Sequence, residues 1–232
     1  MSGARRLERR CLDRRASEGR PRAPRRARSA MRRIVMFERV SSDGFFARPD
    51  GSLDWAVPDP ELDRDAASTI PRFDTILLGR RTFEMFEVAW RPAEGAAPTD
   101  EDPHAPGRRS DEMRAMGRMI DEATKWVFSR TLATPTWRNS KLVRAFEPRE
   151  IEALKRSPGK DVIVFGSGSI VSALTAHGLI DEYQLVVCPL LLGRGRPWLD
   201  GGSLSSELAL QEAKAYRSGN VMLRYTRRGD PR

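Results

Sequence analysis

Three stretches of the chain carry residue types that can hold an anion. Gly166-Ser167-Gly168-Ser169 lies between the apolar run Val162 to Phe165 and an amphipathic segment, so it reads as a turn from a strand into a helix. Such a turn presents backbone N–H groups at a helix start, where a phosphate can sit. Glycine there admits a close approach of backbone to ligand. An ordinary tight connection would look the same, and Val171 stands where a full dinucleotide fingerprint has its third glycine. Gly79-Arg80-Arg81-Thr82 marks a second strand-to-helix junction, with fixed positive charge at the helix start. Ser129-Arg130 closes another apolar run, and a guanidinium matches phosphate oxygens in a two-pronged way. Taken singly, each arginine is equally a solvated surface charge. In Pro189 to Gly195, Gly193 and Gly195 either admit a close backbone or bend the chain before Pro197.

Acid–base and nucleophilic groups are scarce. The sequence has two histidines, His104 and His177, and two cysteines, Cys11 and Cys188. A zinc site or a Cys/His nucleophile pair is not expected from so few. Asp43, in the turn Ser41-Ser42-Asp43-Gly44, is the candidate proton donor; an aspartate capping an Asp-Gly turn is the competing reading. Glu38 is the alternative acid, and strand alternation could face it either way. Phe45, Trp55, Phe86 and Trp90 are either core or a wall for a flat heteroaromatic ring.

Positioning these groups takes a definite order of elements. Arg32 to Val40 patterns as a strand, followed by turns at residues 41–44 and 48–51. Pro58 to Phe73 patterns as a helix with early acids Asp59, Glu61 and Asp63, which suit the helix dipole. Then come a strand at Asp74 to Leu78 and a helix at Phe83 to Trp90. Arg91 to Ser110, rich in Pro, Gly, Ala and acid, reads as a loop beside a site or as a tolerated insertion. Asp111 to Ala123 is helical, with Met113, Met116, Met119 and Ile120 on one side as core. Lys125 to Phe128 is a strand, Leu142-Val143 the centre of a short one, and Pro148 to Ser157 a helix. The Gly166 turn and its helix lead to an apolar strand at Leu185 to Val187. Leu208 to Tyr216 and Asn220 to Arg228 make a final pair joined at Ser218-Gly219. Residues 31–228 are thus expected to form one α/β domain: a mixed, mostly parallel sheet flanked by helices, with antiparallel C-terminal strands.

The charge distribution bounds the partners. The net charge is +9, but eleven of the 41 basic and three of the 32 acidic residues fall in positions 1–30. The remainder holds 30 basic against 29 acidic residues, a near-neutral body unlike that of a nucleic-acid-binding domain. Residues 1–30 have almost nothing to bury and are expected to be a disordered basic extension, dispensable or untranslated ahead of Met31. A nucleic-acid-binding arm and an organelle transit segment are the alternatives. Cysteine usage suits a reducing compartment, and no apolar run is long enough to span a membrane, so a cytoplasmic location is expected.

Six pieces in order resemble the dihydrofolate reductase-like fold, and within it the RibD C-terminal domain family of bacterial reductases related to riboflavin biosynthesis. They are Ser41-Ser42-Asp43-Gly44-Phe45, Leu77 to Thr82, Val127 to Arg130, Val164 to Gly168, Leu179 to Glu182 and Pro189 to Gly195. The resemblance implies NADPH along the carboxyl ends of the strands, hydride transfer to a ring near the first strand, and a homodimer. It assigns cofactor contacts to Gly79, Arg80, Arg81, Thr82, Ser129, Arg130, Gly166, Ser167, Gly168, Ser169 and Gly193. Arg130 is the partner it implies for the 2′-phosphate. The substrate implied is a small pterin- or pyrimidine-like heterocycle, or another conjugated molecule. No H-x-E with P-C-x-x-C occurs, so the deaminase half of the bifunctional riboflavin enzyme has no counterpart in this sequence. A nucleotide- or pterin-binding protein without turnover, and a nucleic-acid binder acting through the basic tail, are the alternatives.

Overall fold

Continuous aliphatic runs become strands buried on both faces. The computed structural model describes residues 31–91, 110–166, 168–199 and 206–228. The basic extension expected over residues 1–30, most of the Arg91 to Ser110 loop, and Ser167 lie outside these. The main sheet comprises β1 (Ile34–Ser41), β3 (Phe73–Gly79), β4 (Thr124–Phe128), β5 (Ser140–Val143), β6 (Asp161–Phe165), β7 (Glu182–Cys188), β9 (Leu208–Ala215) and β10 (Val221–Arg227). Their order is β5-β4-β3-β6-β1-β7-β10-β9. All neighbours are parallel except β7–β10 and β10–β9. The mostly parallel sheet and the antiparallel C-terminal strands therefore stand as expected. A short ribbon pairs β2 (Phe45–Ala47) with β8 (Arg196–Pro197), which the sequence pattern did not announce.

The helices divide between the two faces. α1 (Pro60–Thr69), α2 (Arg80–Trp90) and α3 (Asp111–Glu122) lie on one face; α4 (Pro148–Arg156) and α5 (Gly168–Ala176) lie on the other. Leu77, Val162, Val164, Ile34 and Met36 pack under Ile151, Leu154, Ile170 and Leu174 of the second pair. Ile76, Leu78, Val35, Val127 and Ile163 pack under Phe83, Met119 and Ile120. Each such aliphatic side chain contributes about 1.5–3 kcal/mol when fully buried.

One boundary differs from the pattern. The predicted helix Pro58 to Phe73 is shorter: Asp59 accepts from the N–H groups of Glu61 and Leu62, so the helix starts at Pro60. It ends before Pro71, which lacks the N–H to continue it, in a 3-10 turn over Ile70–Arg72. All of β10 is half-buried between β7 and β9, and Leu210 is the large apolar side chain that protrudes from β9.

Lys125 is completely buried, although it was expected only as a strand residue. Its amine donates to the carbonyls of Ile120 (2.8 Å), Asp121 (3.0 Å) and Ala123 (2.9 Å), and lies 4.5 Å from the Trp137 ring centre. It thereby satisfies the carbonyls at the end of α3, where a cation also suits the dipole. Burial pulls the amine down to about 8 from its ordinary 10.5, opposed by the charge of Asp121.

The two ends of the sheet differ in chemistry. Near the start of the parallel strands, charges are paired: Arg32 with Asp74, Arg72 with Asp161 (3.2 Å), Lys155 with Asp181 (2.7 Å) and Arg33 with Glu182 (3.0 Å). The carboxyl end carries the glycine turns and the remaining candidate residues.

Candidate functional site

Strand order creates a crevice at the carboxyl end. β1 is followed by α1 on one face and β6 by α5 on the other, and the two strands are neighbours. Chains leaving adjacent strands in opposite directions open a gap, the usual ligand position in such sheets. β6 ends at Phe165, opposite Phe37, whereas β1 runs on beside β7 as far as Ser41. Glu38 is thus the first β1 residue beyond the end of β6. It alternates with Met36 and Val40, which places it on the α5 face, and it is 8 % exposed. Gly166 closes the gap with φ +52°, a left-handed conformation that favours glycine. A Cβ there would meet Thr82 Oγ1 at 3.3 Å and lie 3.7 Å from Glu38 Oε2. The two glycine-marked junctions are therefore side by side, with Thr82 of α2 turned toward Gly166.

From the ends of β4 and β5 to the start of α5 lies an open groove of about 450 Å³. Arg130, Arg144, Phe146, Ser169 and Ile170 are among the residues that line it. Arg80 donates to Glu84 (2.7 Å) and to the Thr131 hydroxyl (2.8 Å), so its guanidinium bridges the α2 start to the turn after β4. Arg81 is exposed at the same helix start. Arg144, which the sequence pattern did not single out, donates to the carbonyls of Ser129 (3.3 Å), Arg130 (3.2 Å) and Leu132 (2.7 Å). It fixes the backbone that carries Arg130 and adds a second guanidinium to the groove. Arginines at the ends of β3, β4 and β5 and the start of α5 form a donor set that fits a phosphorylated dinucleotide such as NADPH.

Several expected contacts have other employment. Ser129 is buried, and its hydroxyl accepts from the N–H groups of Thr131 and Leu132, so it shapes the turn. Gly168 is explained by packing within the protein: a Cβ there would come within 3.2 Å of the Pro197 carbonyl oxygen and 3.4 Å of the Phe46 ring. Gly79 precedes α2 with an ordinary extended backbone. Gly193 has φ +70° and open space around it, and its N–H donates to Asp43.

Asp43 is not placed to give up a proton. Its carboxylate accepts from the Ser41 hydroxyl (2.6 Å), the Leu192 N–H (3.1 Å) and the Gly193 N–H (2.7 Å). The Ser41 bond foremost, with those two N–H groups, holds the carboxyl below its ordinary 3.8. Asp43 instead pins the Pro189–Gly195 segment to the turn after β1, which corrects the expectation of a proton donor.

The four aromatics expected as one wall are dispersed. Trp55 is buried with Leu62, Val186, Cys188 and Tyr216 under α1. Phe86 and Trp90 pack beneath α2, their rings 6.4 Å apart. Phe45 pairs with Pro197 in the ribbon. At the ends of β1 and β6, Phe37 and Phe165 lie on the α2 face of the sheet, opposite that of Glu38, their rings 6.0 Å apart and set edge to face, with Phe86 5.4 Å from Phe165. These two were missed because an aromatic at a strand end looks the same whether it faces core or cleft.

Similarity to known proteins follows this geometry. The Bacillus subtilis protein YyaP is 29% identical over 194 residues, covering 84% of this chain and 94% of its own. A putative riboflavin biosynthesis protein from Shewanella sp. PV-4 superposes with a TM-score of 0.63 at 20% identity, over 84% of this chain and 99% of its own. The dihydrofolate reductase of Enterococcus faecalis, solved with NADP(H), gives 0.54 at 14% identity, over 84% and 96%. At these identities the two structures establish a dihydrofolate reductase-like fold. The RibD C-terminal domain family matches residues 32–223, nearly the whole body described above, and the chain belongs to that family.

Proposed function

We propose that this protein is an NADPH-dependent reductase that transfers hydride to a small heterocyclic or conjugated substrate. The observation that carries this reading is the groove lined by Arg130, Arg144 and Ser169 at the carboxyl edge of the sheet, with Arg80 bonded to the turn after β4 and the Gly166 turn beside Thr82 and Glu38. The groove supplies charge for phosphates, with Arg130 assigned to the 2′-phosphate and the α5 start to the pyrophosphate. The Phe37 and Phe165 rings offer apolar surface to a flat ring at the ends of β1 and β6. When bound, the cofactor supplies the hydride; the chain supplies binding, orientation and exclusion of water. The dihydrofolate reductase and riboflavin-related neighbours support a pterin- or pyrimidine-like acceptor.

Calorimetric titration of the purified protein with NADPH and NADH, followed by NADPH oxidation with a panel of dihydropterins and aminopyrimidines, tests the reading. Preferential NADPH binding and turnover of one acceptor class are expected; no binding of either cofactor refutes it. A second reading, a binder of nucleotides or pterins without turnover, is favoured by the engagement of Asp43 in structural bonds. Tight NADPH binding with no oxidation across the panel would select it.

A further inference from the structure

At the crevice, one side chain has no structural task. Glu38 is buried in a strand that is otherwise apolar on that face, between Met36 and Val40. Among the described residues, neighbouring elements send it no charged partner. β7 offers Leu185 at the paired position, and the first turn of α5 is Gly168-Ser169-Ile170-Val171. α2 presents Thr82, while its Arg80 is held by Glu84 and Thr131, and Arg81 is exposed. On β1 itself, Arg39 reaches the Val57 carbonyl and Asp63. An unpaired carboxylate at such a site is costly, so the neutral acid is the favoured form. Burial pushes this carboxyl up from its ordinary 4.5 to about 8, against a smaller pull from the Arg39 backbone.

Two carboxyls that follow β1 are the opposite case. Asp43 is ionised and pins a loop. Asp59 accepts from the N–H groups of Glu61 and Leu62 and from the Ser218 hydroxyl, bonds that hold it below 3.8 in spite of burial. One acid kept protonated while nearby stretches of chain hold their carboxyls ionised is the division of roles expected where proton transfer occurs.

We propose that Glu38 is the proton donor of this site, passing its carboxyl proton to the acceptor heteroatom at the mouth of the Gly166 turn. The proposal rests on the reductase reading above. Reduction of a C=N or C=O bond adds hydride at carbon and a proton at nitrogen or oxygen. The hydride, with its electron pair, comes from the dihydronicotinamide ring, which is thereby oxidised. The proton comes from Glu38, which is left as a carboxylate and is reprotonated from water.

Difference infrared spectroscopy on the full chain tests this without a known substrate. At pH 7 the wild type should show the C=O stretch of a protonated carboxyl that E38Q lacks, and the band should fade as pH rises through about 8. Saturating NADPH should shift that band, and NADPH binding should weaken above about pH 8 in the wild type but not in E38Q. E38D, which keeps the acid but withdraws it by one methylene, should retain an acid band with little NADPH-induced shift; it also serves if E38Q does not fold. With 7,8-dihydropterin or another acceptor turned over in the panel, single-turnover NADPH oxidation should fall by at least ~100-fold in E38Q. A wild-type spectrum without the band at pH 7, or a band unmoved by bound NADPH, overturns the assignment while leaving cofactor binding intact. Failure of the wild type to bind NADPH at all, with the acid band present, identifies the reductase reading as the failed step.

Discussion

Glu38→Gln should change how stability depends on pH, whatever the reaction. In the unfolded chain this carboxyl titrates near 4.5; in the folded chain it titrates at about 8. Between those values the unfolded state has released its proton and the folded state has not. The folded state therefore binds more protons, and stability falls as pH rises. The contribution is fully present below about 4.5 and is lost by the time pH passes about 8. At about 1.4 kcal/mol per pKa unit, that window amounts to roughly 5 kcal/mol, with a slope near 1.4 kcal/mol per pH unit around pH 6. Glutamine has nearly the same shape and does not titrate. Urea unfolding of both proteins at several pH values between 5 and 8 should show the wild type losing stability relative to E38Q by about that slope, with similar m values. E38Q should be the more stable protein at pH 8. A constant difference between the two across the window would refute the claim that Glu38 is a buried acid without a partner.

Other substitutions read other parts of the structure. Arg130→Ala should weaken NADPH binding roughly ten- to hundred-fold, the loss of about 1.5–3 kcal/mol from a charged hydrogen bond, and change NADH binding far less; equal weakening in parallel titrations would remove Arg130 from the 2′-phosphate. Lys125→Met leaves three carbonyls at the end of α3 without their donor and should cost about 3 kcal/mol in urea unfolding at pH 7. Because this amine titrates lower in the folded chain, at about 8 against 10.5, the wild type should regain stability relative to K125M as pH rises between those values. Asp43→Asn should speed amide exchange at Leu192 and Gly193, whose N–H groups lose a charged acceptor, without altering exchange in β3 or β6; unchanged exchange would mean the loop is held by other contacts. In the wild type this contact should survive to pH values below the usual carboxylate range and disappear only as Asp43 is protonated.

What could be read without coordinates follows from where each signal resides. Strands such as Ile76-Leu77-Leu78 and Val162-Ile163-Val164 are buried on both faces, so continuous aliphatic runs announce them. Arg80, Arg130 and Gly166 were legible because each directly follows or ends such a run, and parallel strands bring those ends to one edge. Arg144 follows a four-residue strand, Ser140–Val143, with weak patterning, and its partners are carbonyls, which leave no trace in residue type. Asp43 was misread for a related reason: its partners are backbone N–H groups 149 and 150 residues away, and any residue type could supply them. Glu38 is the instructive case. Its charge interrupts an apolar strand, a local inconsistency visible in the sequence, but alternation alone does not say which face it takes. The cost of that charge depends on β6 stopping one position short of it and on α5 opening with uncharged residues. Local rules are broken most often where function requires it. A buried carboxyl without a charged partner among the described residues, next to the gap between β6 and β1, is better explained by proton delivery than by stability, because replacing it with an amide should make the protein harder to unfold.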